Sequence, residues 1–229
     1  MMLSYSNYCT IRQKVRCFAV RVLIFSGGNL NTWALSSIKE EDYIIGVDRG
    51  AYFLFSHGIE MDIAIGDFDS VTKDEKERIV ANTKEMISCD AFNKNETDTE
   101  MAFNFALNKQ PQEIVLFGVL GTRFDHSIAN IQLLYSGLNA GIDCKIVDER
   151  NEIQLVTSQL VIHKNRFKNV SLLPLTFEVS GVTLDGFIYP LTDATIRIGE
   201  SIGISNKLKD EIGKITVESG VLQVIKSND

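Results

Sequence analysis

Proline, tryptophan and cysteine are scarce in this chain, with three Pro, one Trp and four Cys in 229 residues. So little proline excludes a collagenous, mucin-like or linker-dominated polypeptide. Cys9, Cys17, Cys89 and Cys144 form neither a CxxC nor a zinc-knuckle spacing. Idle thiols in a reducing cytoplasm are therefore the expectation, not a disulfide framework. No apolar run reaches the roughly 18 residues of a membrane-spanning helix, so no membrane partner is expected. Positive charge is also short: 23 Lys+Arg stand against 30 Asp+Glu, a net charge of −7. Without a basic stripe to displace counterions, nucleic acid is disfavoured as a partner. A nucleotide substrate stays open, because bound Mg²⁺ reverses the local sign of charge. Also missing are a GxxxxGK[ST] loop, a GxGxxG fingerprint, an HExxH and a GxSxG elbow. The familiar routes to phosphate, zinc and acyl chemistry are thus closed.

Acidic residues are absent from the first 39 positions, which carry Arg12, Lys14, Arg16, Arg21 and Lys39. A secretory signal is not indicated, since Arg21 interrupts the apolar stretch and no small-residue cleavage site follows. Residues 1–18 read as a loosely ordered N-terminal extension or an over-long start. Beyond them, short apolar runs at Val20–Phe25, Tyr43–Val47, Asp62–Ile65, Met86–Cys89, Ile114–Phe117 and Cys144–Val147 predict strands. Helix-like segments alternate with them. Asp98–Leu107 places Met101, Ala102 and Phe105 on one face, and Ser127–Leu138 does the same with Ile128, Ile131, Tyr135 and Leu138. Alternation of this kind predicts an α/β, Rossmann-like, mainly parallel sheet with flanking helices over residues 19–150. From residue 151 to 229 only short β-like runs follow, the last two flanking Ser219-Gly220 as a hairpin. The second half therefore reads as a smaller all-β domain.

Four stretches carry chemistry, all at carboxyl ends of predicted parallel strands, the edge where open α/β sheets bind ligands. Ile45-Gly46-Val47-Asp48-Arg49-Gly50-Ala51 ends a strand in an acid and opens the next segment with Gly50. In Gly66-Asp67-Phe68-Asp69-Ser70, an extended backbone would send Asp67 and Asp69 to one side and Phe68 to the core. Two close carboxylates call for a raised pKa or a cation, and Mg²⁺ favours one or two carboxylates plus phosphates. Thr97 begins a capping box completed by Glu100, while Asp98 at that helix start would add a third metal ligand. Gly118 to His126 supplies two glycines for close backbone approach, Arg123 as a fork for phosphate oxygens, and Asp125 to orient a hydroxyl or accept a proton. Singly each motif has a structural explanation. Jointly they suit Mg-dependent phosphoryl chemistry.

Val47-Asp48-Arg49-Gly50-Ala51, Gly66-Asp67-Phe68-Asp69-Ser70, Thr97-Asp98 and Arg123-Phe124-Asp125-His126 resemble, in order and spacing, the thiamine pyrophosphokinase (thiamine diphosphokinase) family. Gly186-Phe187-Ile188-Tyr189-Pro190-Leu191 and Gly203-Ile204-Ser205-Asn206 extend the resemblance to residues 20–225. It implies transfer of a pyrophosphoryl group from ATP to the thiamine hydroxyl, giving thiamine diphosphate and AMP. It also implies Mg²⁺ on Asp67, Asp69 and Asp98; ATP against Asp48, Gly50, Ser70, Thr97 and Arg123; Asp125 near the reacting groups; and Ser205 and Asn206 on thiamine. The family's second domain is a β-sandwich, and its active site lies at a homodimer interface. Where some relatives carry an acid or a Trp after Ser-Asn, this chain has Lys207. The aromatic covering thiamine is thus open among Phe68, Phe187 and Tyr189. A pyrophosphokinase acting on another alcohol, such as a hydroxymethylpterin, would keep the acids without the Ser205-Asn206 pocket. A non-catalytic nucleotide or thiamine sensor would be expected to have lost them.

Overall fold

The structure is a computed structural model that describes residues 21–88 and 95–229. The extension at 1–18, Val20, Cys9, Cys17, Cys89 and Lys94 lie outside the described residues. The first half runs β1 (Arg21–Phe25), α1 (Thr32–Leu35), β2 (Tyr43–Val47), α2 (Arg49–Ser56), β3 (Met61–Gly66), α3 (Lys73–Ala81), β4 (Thr83–Ser88), α4 (Asp98–Asn108), β5 (Glu113–Phe117), α5 (Phe124–Asn139) and β6 (Asp143–Val147). The second runs β7 (Asn151–Val156), β8 (Gln159–His163), β9 (Asn169–Pro174), β10 (Glu178–Asp185), β11 (Ala194–Arg197), β12 (Ile212–Thr216) and β13 (Leu222–Ser227).

A nine-stranded sheet has the order β4-β3-β2-β1-β5-β6-β7-β13-β9. Its first six strands pair in parallel, and the pairing turns antiparallel at β6–β7, across the turn that Asp148 closes onto Asn151. Chain order reverses between β1 and β5, which creates a crevice at the carboxyl ends of those strands. Alternation along β1 explains the layering. Val22 and Ile24 enter one core with Ala102, Phe103, Ala106 and Leu134 of α4 and α5, while Leu23 and Phe25 enter another with Ala34, Ala51, Leu54 and Ile79 of α1 to α3. The antiparallel wing β7-β13-β9 faces a second sheet, β11-β10-β12-β8, across a core of Val170, Leu172, Val182, Leu184, Phe187, Ile215 and Leu222. That is the β-sandwich half, sharing its sheet with the α/β half.

Three expectations change. The face of α5 against the core is Ser127, Asn130, Leu134 and Gly137, whereas Ile128 and Tyr135 are exposed. A side chain at Gly137 would stand 2.3 Å from the sulfur of Cys144, so a small residue faces the sheet there in place of a large apolar one. On α4 the buried trio is Ala102, Phe103 and Ala106, with Met101 and Phe105 at its margins. Nor do β12 and β13 form a hairpin: β12 pairs with β8 and β10, and β13 with β7 and β9. The Ser219-Gly220 turn carries the chain from one sheet to the other, with Gly220 at φ 91°. Beside it, Ser219 bridges to Ser180 on β10, where the ladder is interrupted.

Candidate functional site

The crevice between β1 and β5 is a cleft of about 550 Å³, floored by the strand ends and walled by the segments that follow them. After β1 come Ser26, Gly27 and Gly28; after β5 come Gly118 to Arg123. The two loops are tied by Ser26 N–H donating to the Phe117 carbonyl (2.9 Å) and Gly28 N–H to the Gly118 carbonyl (2.8 Å). On the β2–β3 side the lining is Asp48, Arg49, Asp67, Asp69 and Ser70, and the start of α4 adds Thr97, Asp98 and Thr99. Thr97 accepts from the Glu100 N–H at 3.2 Å, which leaves Asp98 in the first turn. The reciprocal capping box is found on α3, between Thr72 and Glu75.

Carboxylate oxygens of Asp48, Asp67 and Asp98 lie within 4.8 Å of one another, each residue half-buried. Asp48 takes the place in this cluster that the sequence reading gave to Asp69. The backbone explains the exchange. Phe68 has φ 60°, so Asp67 and Asp69 do not stand at alternate positions of an extended strand. Phe68 is buried as expected, while Asp69 is exposed at the rim and donates its N–H to Asp67 at 3.1 Å. Asp48 sits at φ 48° and accepts the Phe68 N–H at 3.0 Å. Two non-glycine residues at positive φ, joined by a hydrogen bond, mark a locally strained backbone, as is frequent at ligand sites. Gly66 makes room for it: a Cβ there would lie 2.1 Å from the Asp48 carboxylate. Three hard oxygen donors this close suit Mg²⁺ better than a soft metal.

Other expected residues distribute unevenly. Ser70 and Thr97 line the cleft, and the Ser70 carbonyl accepts from Arg49 at 3.1 Å. Gly50 is buried beneath it, where a Cβ would meet the Phe25 carbonyl oxygen at 2.0 Å; its smallness lets α2 close on β1. Arg123 lines the cleft and grips Asp125 with a two-pronged fork, at 2.6 and 3.3 Å. That hydrogen bonding holds the Asp125 carboxyl below the usual carboxylate range, which weakens it as a proton acceptor and favours an orienting role. In the β half, Ser205 is exposed at φ 58°, its N–H donating to Ser171 at 3.0 Å. Asn206 is buried, and its amide is engaged by the backbone of Tyr189 and Lys207.

Sequence reasoning passed over Ser26, Gly27, Gly28, Thr99 and Asn130, all of which line the cleft. The signal for the first three was a Ser-Gly-Gly directly after the first strand. Ser26 and Thr99 share a hydroxyl hydrogen bond of 2.8 Å that ties β1 to the turn carrying Asp98. Asn130 donates to the Val119 carbonyl at 2.8 Å, and Ser127 accepts from Gly121 N–H at 3.2 Å, so the buried polar face of α5 anchors the Gly118–Arg123 loop.

Two family models match this chain: the thiamin pyrophosphokinase catalytic domain over residues 34–146 and the thiamin pyrophosphokinase vitamin B1 binding domain over 157–222. A thiamine pyrophosphokinase of Bacillus subtilis is 38% identical over 187 residues, spanning 81% of this chain and 87% of the relative. Among solved structures, thiamine pyrophosphokinase from Bacillus subtilis aligns with a TM-score of 0.86 and 35% identity, over 91% of this chain and 99% of that one. Thiamin pyrophosphokinase from Geobacillus thermodenitrificans aligns at 0.82 and 31%, over 92% and 98%.

Proposed function

The chain belongs to the thiamine pyrophosphokinase family, and on that premise we propose how its residues divide the work of the reaction. It moves a pyrophosphoryl group from ATP to the primary hydroxyl of thiamine, giving thiamine diphosphate and AMP. The observation that carries the assignment of roles is the carboxylate cluster Asp48–Asp67–Asp98 in the switch-point cleft.

Residues 19–150 hold ATP and residues 151–229 hold thiamine. Asp67 and Asp98, with Asp48 beside them, would hold Mg²⁺, and Asp69 at the rim would face the same phosphates. When bound, the ion supplies charge neutralisation to the transferred phosphoryl oxygens. Gly27 and Gly28 let the triphosphate approach the backbone, Ser70 and Thr97 offer hydroxyls, and Arg123 turns its guanidinium from Asp125 to a phosphate oxygen. Asp125 then orients the thiamine hydroxyl toward the β-phosphorus. Positioning and preorganised charge account for the rate, and no covalent enzyme intermediate is required.

Ser205 touches thiamine in the β half. The subunits pair as a homodimer, so that thiamine contacts come from the partner. Supporting this is the exposed apolar stripe Phe124, Ile128 and Tyr135 on α5, together with exposed Phe177, Ile198 and Ile202 in the β half. Among the described residues no helix is long and apolar enough to cross a membrane, and the buried free thiol of Cys144 fits a cytoplasmic setting.

The test is the identity of the products formed from ATP, Mg²⁺ and thiamine, read by mass spectrometry. Thiamine diphosphate with AMP is expected; thiamine monophosphate with ADP would overturn the pyrophosphoryl reading.

A further inference from the structure

The apolar period of α5 is broken twice on its buried face. That face is Ser127, Asn130, Leu134 and Gly137, and the two polar residues are 6% and 7% exposed, at positions where an amphipathic helix ordinarily carries apolar side chains. Polar groups buried that deeply destabilise a fold unless they are hydrogen-bonded. Both are, and among the described residues their side-chain partners all lie in one segment, the Gly118–Arg123 loop.

Asn130 donates to the Val119 carbonyl at 2.8 Å. The Ser127 hydroxyl accepts the Gly121 N–H at 3.2 Å and donates to the Arg123 carbonyl at 3.3 Å. Residues 119, 121 and 123 are thus held in turn, while Gly28 N–H holds the Gly118 carbonyl at 2.8 Å. The loop belongs to no strand or helix, so side chains supply the restraint that a ladder gives elsewhere. Its last residue, Arg123, is the N-cap of α5, where Ser, Thr, Asp or Asn is preferred and where Arg makes no side-chain cap bond. Ser127, one turn further on, fixes the entry of the chain instead. Beyond that fixed backbone the Arg123 guanidinium is exposed and lines the cleft.

We propose that Ser127 and Asn130 are positioning residues for pyrophosphoryl transfer: they hold the Gly118–Arg123 loop in the shape that carries the Arg123 guanidinium to the transferred group. This rests on the reading of the cleft as the transfer site, with Arg123 on a phosphate oxygen. A long side chain places its charge only as well as its backbone is placed, and an error of about 1 Å at a reacting centre costs up to about a hundred-fold in rate.

The experiment is a double-mutant cycle on the full-length enzyme. Thiamine diphosphate formation is measured in Ser127→Ala, in Arg123→Ala and in the double variant, with folding checked by circular dichroism. Ser127→Ala is expected to lower kcat about ten-fold and leave KM for thiamine within about two-fold of wild type. In the Arg123→Ala background the same substitution should change kcat by less than about two-fold, because the group it positions is gone. A residue that only stabilised the fold would lower activity by the same factor in both backgrounds. Amide hydrogen exchange gives a second readout, since Gly121 N–H should lose protection in Ser127→Ala. Asn130→Ala should repeat the pattern, and Ser127→Ala decides alone if that variant does not fold. Wild-type kcat in Ser127→Ala, an equal loss with and without Arg123, or an unchanged Gly121 exchange rate would each overturn the proposal. A wild-type enzyme that makes no thiamine diphosphate would instead overturn the functional reading, and this proposal with it.

Discussion

Replacing Gly66 by alanine adds one methyl group at the point where the carboxylate cluster is built. Two independent costs follow from the geometry. Gly66 has φ 148°, a conformation that residues with a Cβ rarely adopt, and imposing it on alanine costs about 1–3 kcal/mol. The new Cβ would also stand 2.1 Å from Asp48 Oδ1, so the carboxylate must move. Moving it breaks the hydrogen bond from Phe68 N–H, worth about 1.5–3 kcal/mol for a charged acceptor. Together these give a loss of roughly 3–6 kcal/mol, a large part of the about 5–15 kcal/mol typical of a domain. Gly58 provides the comparison: it has φ 69° and nothing within 4 Å of a built Cβ, so its alanine variant carries only the backbone cost of about 1–2 kcal/mol. Urea unfolding of the two variants compares the summed cost at Gly66 with a backbone cost alone at Gly58. Turnover against Mg²⁺ concentration should shift to higher metal in Gly66→Ala and stay at wild type in Gly58→Ala. A Gly66→Ala protein as stable as Gly58→Ala, with unaltered metal dependence, would refute the coupling of Gly66 to the cluster.

Asp98→Asn should lower turnover by at least about a thousand-fold with the fold intact by circular dichroism, because a ligand-holding charge is lost at the transferred group. Asp69→Asn at the rim should lose clearly less, and equal losses would contradict the geometry of the cluster. Asp125 should titrate below the ordinary aspartate value of about 3.9 by NMR, and Arg123→Ala should bring it back up. Since the folded value is the depressed one, the stability it contributes is present above the unfolded pKa and lost as pH falls through the folded one. The exposure of both groups keeps that contribution small. Burial pushes the Cys144 thiol up to about 12, so peptide mapping should find it unmodified by maleimide in the native enzyme at pH 8 and modified after denaturation. Ile128→Glu, in the middle of the α5 stripe, should shift the sedimentation profile from dimer toward monomer.

The α/β half was legible because its inner strands are buried on both faces and read as continuous apolar runs, whereas its edge strand Thr83–Ser88, largely exposed, was expected only over Met86–Cys89. Tyr43–Val47 falls on the strand as expected, and Ile114–Phe117 is extended by one residue. The β half was harder. Residues 159–163 form an edge strand with only Ile162 buried, which leaves little pattern to detect. Runs at 215–218 and 221–225 looked like a hairpin because local turn chemistry is visible in sequence and the sheet each strand joins is not. At the site, the acids were found by type and position. Their grouping was not, because exchanging Asp69 for Asp48 depends on the positive φ of Phe68, and nothing in a phenylalanine announces that conformation. Asn206 was picked out by its segment, but its hydrogen-bond partner, the Tyr189 backbone 17 positions away, is visible only once the chain is folded.

The carboxylate cluster as the metal-holding centre is most directly tested by Mn²⁺ binding in the presence of ATP, followed by electron paramagnetic resonance. Wild-type enzyme should bind the ion with nucleotide present. Asp67→Asn and Asp98→Asn should each weaken that binding at least about ten-fold while remaining folded, a loss of about 1.4 kcal/mol or more. Wild-type affinity in both variants would contradict the assignment and move the metal elsewhere.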